Sequence, residues 1–169
     1  MLGGALLAGC AATPDKAPPA SRSGQVGVQE VTAGVPSEAR LVLAQNETFE
    51  LPLPAPDNAL PAYPPALLAR GLPPRAVCVQ VGVGEDGSVL GTASAPPNDD
   101  CPVLGDDDQP FFAAAASAAK AWRFDPAFRC VFDHAPAPDE ACGPAGTQEI
   151  PQAVSLVFRF VFEQVDGRG

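Results

Sequence analysis

A chain of 169 residues with 46% apolar side chains is long enough for one domain with a real core. Its 21 prolines and 16 glycines exceed a fifth of the sequence, so long connecting stretches are expected beside that core. A formal net charge of −10, with only ten Lys and Arg, leaves no basic stripe to neutralise phosphates and argues against nucleic acid as a partner.

Residues 1–10 read as a partial lipoprotein signal. The apolar run ending Leu7-Ala8-Gly9-Cys10 has the form of a bacterial lipobox, in which a small residue before cysteine permits cleavage and the sulfur receives the lipid. Cys10 would then open the mature chain and carry the anchor. The run falls short of the roughly 20 apolar residues that span a bilayer, and it lacks the positive leading region of a signal peptide, so the true start is expected upstream. The competing reading is a chance cysteine after an apolar start. Nothing further along reads as a membrane span, which leaves a lipid as the only membrane attachment. The expected location is the periplasm of a Gram-negative bacterium, at the outer membrane.

Residues 11–24 are Ala, Pro, Ser and charge with no apolar period, the composition of a disordered tether. Residues 25–54 read as an accessory segment. Val26 and Val28 alternate, as do Phe49, Leu51 and Leu53, and Pro52 and Pro54 would hold the second strand at a sheet edge.

The main domain is expected over residues 55–166. Tyr63 precedes Pro64 and Pro65, which can open a short helix that Gly71 closes. Val77, Val79, Val81 and Val83 alternate on one face of a strand, Asp86-Gly87 marks a hairpin turn, and Val89 begins the return. That acidic turn lacks the ligand spacing of a calcium loop. Asp106, Asp107 and Asp108 stand before a helix, whose positive amino end explains them without a metal. From Phe111 to Trp122, apolar residues recur at helical spacing, and the alanines allow close approach to a sheet. Residues 128–152 read as an enlarged loop holding the lone His134. Val154, Leu156, Phe158, Phe160 and Phe162 then share one strand face, with Ser155, Arg159 and Glu163 on the other.

Cys78, Cys101, Cys130 and Cys142 remain, and four cysteines allow three pairings. None shows the C-x-x-C spacing of a zinc site, and one histidine cannot complete a set, so disulfides in an oxidising compartment fit better. Cys78–Cys101 and Cys130–Cys142 close modest loops, each bridge contributing about 3 kcal/mol by restricting the unfolded chain. No metal-ligand set and no cofactor motif is read.

Four fragments occur in a telling order: AYPPALLARG, VQVGVGEDGSV, AAKAWRFDPA and LVFRFVFE. Together, over about residues 61 to 163, they resemble the carboxy-terminal domain of TonB-family energy transducers. The resemblance implies an α+β fold, a small antiparallel sheet of about three strands packed on two helices. Trp122 and Phe124 would cap its core, and Asp125, pushed from helical geometry by Pro126, would end the helix. It further implies capture of an extended peptide, from a TonB-dependent outer-membrane transporter, by strand addition at a free edge. The matching edge here is the last strand: Leu156, Val157, Phe158, Arg159, Phe160, Val161 and Phe162. A protein held only by lipid cannot by itself couple to an inner-membrane proton motor, so binding rather than energy transduction is expected.

The leading functional expectation is thus a non-enzymatic envelope lipoprotein that binds a protein or peptide partner. Its alternative is a structural protein that contacts peptidoglycan or an envelope assembly. A hydrolase would need a nucleophile with its base, paired acids or a metal, none of which the sequence arranges. A protease inhibitor presenting the stapled loop 130–142 stands beside it as a further alternative. If Cys10 carries the anchor, Cys10→Ala abolishes metabolic palmitate labelling and releases the protein from the membrane fraction; label persisting in the variant overturns the lipobox reading.

Overall fold

The computed structural model describes residues 22–34, 41–138, 140–143 and 146–166. Cys10, and the tether up to Ser21, lie outside these. The strands are β1 (Arg22–Glu30), β2 (Glu47–Glu50), β3 (Leu53–Pro54), β4 (Arg75–Val83) and β5 (Val89–Ser94); helix α1 (Gln109–Ala119) follows, then β6 (Phe124–Asp125), β7 (Ala127–Phe132), β8 (Thr147–Gln152) and β9 (Val154–Asp166). The fold is mixed α+β and dominated by antiparallel pairing.

Two period-two stretches build the main sheet. In β4, Val77, Val79, Val81 and Val83 all turn to one face and are buried, and in β9 so do Leu156, Phe158, Phe160 and Phe162. The strands pair from Arg75↔Phe162 to Val83↔Val154, which brings the two apolar rows side by side. Helix α1 covers them with Phe111, Ala115 and Ala119, each fully buried. The alanines let its backbone lie near the sheet, as expected.

Trp122 is 4% exposed and stacks edge-on against Phe158 at 5.1 Å between ring centres. Its indole Nε1 donates to the Ala59 carbonyl at 2.8 Å, so the one polar atom of the ring is satisfied. The helix ends at Ala119 and not, as expected, at Asp125: the chain tightens into i→i+3 bonds up to Trp122, and Phe124–Asp125 are drawn into strand β6. Phe124 is buried too, but on β6, paired with Pro54 of β3.

The hairpin turn forms as read. Gly87 has φ +76°, and a Cβ there would overlap the Phe124 carbonyl oxygen, so only glycine fits. Both disulfides also take the expected pairing, Cys78–Cys101 and Cys130–Cys142, with Cα separations of 5.6 and 5.4 Å.

Four further expectations are corrected. The sheet is larger than three strands: β1-β9-β4-β5 form a four-stranded sheet, β2-β7-β8 a three-stranded one, and β3-β6 a two-stranded ribbon. The Tyr63-Pro64 segment makes a 3₁₀ turn, Pro65–Arg70, in place of an α-helix, because prolines on both sides leave too few residues to propagate one. Residues 128–152 carry the hairpin β7–β8 instead of a loop, with Pro151 on an edge strand, where a missing amide is tolerated.

The fourth correction matters most. The margin of β9 is not free: Arg22–Glu30 pair along it from Arg22↔Asp166 to Glu30↔Phe158. Beyond that register the Val31 amide donates to the Val157 carbonyl, and the Val157 amide donates to Thr32 Oγ1. The end of the expected tether and the accessory segment are therefore part of the main sheet. Gly24 makes this possible, since a Cβ there would overlap Tyr63, whereas one at Gly27 would meet nothing within 4 Å. Gly24→Val is expected to lift β1 from β9, destabilise by about 1–3 kcal/mol and speed hydrogen exchange of the amides that β1 protects. Gly27→Val should do neither, and equal behaviour of the two variants would overturn this account of the margin.

Candidate functional site

The alternation that buries the valines turns every second residue of the sheet away from α1. On that outer face lie Cys78, Gln80 and Gly82 of β4 and Ser155, Val157, Arg159 and Val161 of β9. Near the Cys78–Cys101 bridge the face is covered, since Val157 joins Val31, Ala95 and both sulfurs in a small second core. Toward the other end it opens into a groove of 980 Å³.

Three segments distant in sequence form this groove. Leu41, Phe49 and Leu51 line it from the region of β2, Leu90 from the start of β5, and Val154 with Leu156 from β9. Leu41, Leu51 and Leu90 keep 48, 65 and 69% of their surface exposed, a concentration of apolar area uncommon on a surface without a binding role. Gln80, Gly82 and Ser155 also line it. Among the described residues the Gln80 amide and the Ser155 hydroxyl make no hydrogen bond, so both are available to a ligand. Gly82 keeps the floor low: a Cβ added there would find its nearest neighbours only at 3.8 Å.

Carboxylates stand beside this uncharged lining. Thr32, itself a lining residue, donates from Oγ1 to Glu30 at 2.8 Å. Asp86 accepts from the Ser88 hydroxyl at 2.6 Å and from the Ser88 amide at 2.9 Å, and these bonds hold its carboxyl below the ordinary aspartate range. A Cβ built on Gly84 would lie 3.0 Å from Asp86 Oδ1 and 3.1 Å from Leu90 Cδ2, so acid and leucine share that space.

The residues singled out in the sequence fall into separate places. Tyr63, Trp122 and Phe124 belong to the main core, and Pro64 stands ahead of the 3₁₀ turn. Asp86 and Gly87 form the turn that docks on Phe124, whose amide donates to the Gly87 carbonyl. Leu156, Phe158, Phe160 and Phe162 are core, Val157 belongs to the second core, and Arg159 and Val161 lie half-buried on the outer face. Of the proposed edge-strand residues only Leu156 reaches the groove. The groove itself was missed; the available signal was exposed leucine in turn-rich sequence, which has no period to reveal it.

The aspartates 106–108 form a 3₁₀ turn ahead of α1 without side-chain capping, and Asp108 pairs with Arg75 at 3.2 Å. Glu50, Cys130 and Cys142 come within 4.8 Å of one another. The two sulfurs are bonded together, and Glu50 accepts from the Cys142 amide at 2.7 Å, so the cluster is a braced staple, not a thiolate set. No helix among the described residues is long and apolar enough to cross a membrane. Compared with known proteins, the chain matches no family model, no curated protein and no solved structure.

His134 is exposed and sits between two acids: Nδ1 meets Asp133 at 2.8 Å and Nε2 meets Glu140 at 3.2 Å. The hydrogen bonds to Asp133 and Glu140 raise its pKa, and the same contact with His134 lowers that of Asp133. The raised imidazole stabilises the loop fully below its unfolded value of about 6.5. That support fades as pH rises through the higher folded value. The depressed Asp133 acts oppositely, its share fading as pH falls through its own folded value. Loop 133–140 is thus expected to tighten as pH is lowered from 8 toward 6, read as slower hydrogen exchange, with the dependence absent in His134→Gln. An unchanged profile in that variant would remove the clasp.

Proposed function

We propose that this chain is a non-enzymatic, lipid-anchored envelope protein with a TonB-like carboxy-terminal domain, which binds an extended segment of a protein partner in the groove behind its sheet. The observation that carries this reading is the groove itself: exposed leucines and a phenylalanine around a low floor that offers an amide and a hydroxyl without partners. Apolar walls bury side chains without regard to direction, and a few unpaired polar groups fix the backbone of what lies there. An extended peptide presents both needs together, alternate side chains to bury and backbone groups to satisfy.

The TonB-like part of the proposal is supported by the order of elements. Hairpin β4–β5, helix α1 and strand β9 follow one another as in the resemblance, and they share one core around Trp122. In the same proposal a TonB-dependent transporter is one source of the segment. Its mode of docking differs from strand addition at β9, because a guest there would first have to expel Arg22–Glu30. The groove needs no such exchange. Binding in place of catalysis is favoured by His134, whose two ring nitrogens both face carboxylates, so that neither is turned toward a nucleophile.

Gly82→Trp fills the groove floor without touching the core. Immobilised wild-type protein is expected to retain a partner from envelope extracts, with retention falling at least about tenfold in Gly82→Trp while the melting temperature holds. Gly27→Val, on the same face but away from the groove, is expected to behave as wild type. Equal retention by Gly82→Trp and wild type would sink the reading.

A further inference from the structure

We infer that the chain pairs with a second copy of itself along the margin of β1 that points away from β9, the two β1 strands running antiparallel about a twofold axis at Val26. This does not depend on the groove. The order β1-β9-β4-β5 leaves β1 at the edge of the main sheet, and among the described residues its far side pairs with nothing. Nine residues of extended backbone thus turn alternate donors and acceptors to solvent. The usual guards of such an edge are missing: Arg22–Glu30 hold no proline and no lysine, and their register against β9 runs without a bulge. The edge strand β8, by contrast, carries Pro151.

The sequence of the strand identifies the occupant. In RSGQVGVQE the one cation and the one anion stand at opposite ends, equally far from the central Val26. Antiparallel pairing about Val26 sets Arg22 of each copy opposite Glu30 of the other, Ser23 opposite Gln29, Gly24 opposite Val28 and Gln25 opposite Gly27. Both charges lie on one face, because the register with β9 puts Arg22, Val26 and Glu30 on the side of Phe158 and Phe162. A shift of two residues either way parts them, so the strand is complementary to itself in a single register. Arg22 also donates to the Ala69 carbonyl at 3.4 Å, and Glu30 accepts from Thr32. A guanidinium with five N–H donors and a carboxylate with two oxygens keep such contacts while meeting each other.

The apolar groups fall in with the same register. Val26 packs against the core and meets its own copy across the axis. Val28, 41% exposed, comes beside Gly24 of the second copy, at the place where Tyr63 lies over the strand. Paired in this way, four strands from each copy form one continuous sheet, with both grooves open to the same side. A contact made by one pair of strands is small, so the association is weak and depends on concentration.

Sedimentation equilibrium of the purified chain at low salt is expected to show monomer at about 1 μM and dimer at about 100 μM. Glu30→Arg sets arginine against arginine at both ends, and Arg22→Glu sets glutamate against glutamate. Each variant alone is expected to dimerise at least about tenfold more weakly. Mixed in equal amounts, the two variants restore both oppositely charged pairs and are expected to form a heterodimer about as tight as the wild-type dimer. Hydrogen exchange reads the same contact without a substitution: in the wild type the alternate β1 amides turned away from β9 should slow at least about threefold between the two concentrations. Monomer at about 100 μM, a dimer that neither reversal weakens, or β1 exchange that ignores concentration overturns the inference. So does a mixture no tighter than its components, in variants whose amides bonded to β9 exchange as in the wild type at about 1 μM. The groove reading is tested separately by Gly82→Trp and survives any of these results.

Discussion

Everything in this structure follows from one demand: strand β9 presents a row of large apolar side chains on one face, and that row must be shielded from water on both flanks and from above. Phe160 and Phe162 are at most 1% exposed, with a paired strand on either side of them. Valines of β4 supply one flank, and α1, Tyr63 and Trp122 supply the cover. The remaining flank is taken by Arg22–Glu30, a strand with little apolar surface of its own. Its role is to pair the β9 backbone and to bring Val26 against the core. Burying a row on this scale contributes roughly 25 cal/mol per Å² of apolar surface; covering the last flank with even a polar strand is therefore favourable.

The same demand explains which features the sequence displays and which it hides. Strands β4 and β9 alternate strictly because one face is buried throughout, and that period is visible without coordinates. The Asp86-Gly87 turn is visible because only glycine tolerates its backbone. The disulfide pairing follows from short loops. Strand β1 is hidden: in RSGQVGVQE only two valines alternate, and its place depends on the edge it covers, not on its own burial. Strands β7 and β8 are hidden for a related reason. Arg129 lies where an apolar residue would mark a strand, and it is there because it pairs with Glu47 of β2 at 2.6 Å. The groove is the least legible feature, since Leu41, Phe49, Leu90 and Val154 meet only where the three-stranded and four-stranded sheets come together.

Electrostatics complete the picture of an acidic chain that places its few cations with care. Arg75 meets Asp108 and joins β4 to the entry of α1, while Arg129 meets Glu47 and joins β7 to β2. Partly exposed pairs of this kind contribute about 0–1 kcal/mol each, so their effect is on register more than on stability. Glu47 shows this: the Ala44 amide, followed by Arg129, holds its carboxyl below the usual glutamate range and fixes the approach to β2. Asp86 follows the same pattern: the Ser88 hydroxyl and amide hold its carboxyl below the usual aspartate range, and the charge of Arg123 adds to this.

Seen this way, the covered margin and the open groove are two consequences of a single arrangement. The loop leaving β1 runs through Val31 and Thr32 across the end of β9, where the Val157 amide and carbonyl are both bonded to it. That crossing closes the margin that strand addition would require. The same crossing sets Thr32 at one side of the groove, and the hairpin that carries Asp86 sets Leu90 at the other. Removing β1 to admit a guest would expose the phenylalanine row and dismantle one end of the groove. Occupying the groove disturbs neither. A guest segment that binds this domain without unfolding it is therefore directed to the outer face, and the row that builds the fold is kept apart from the surface that serves it.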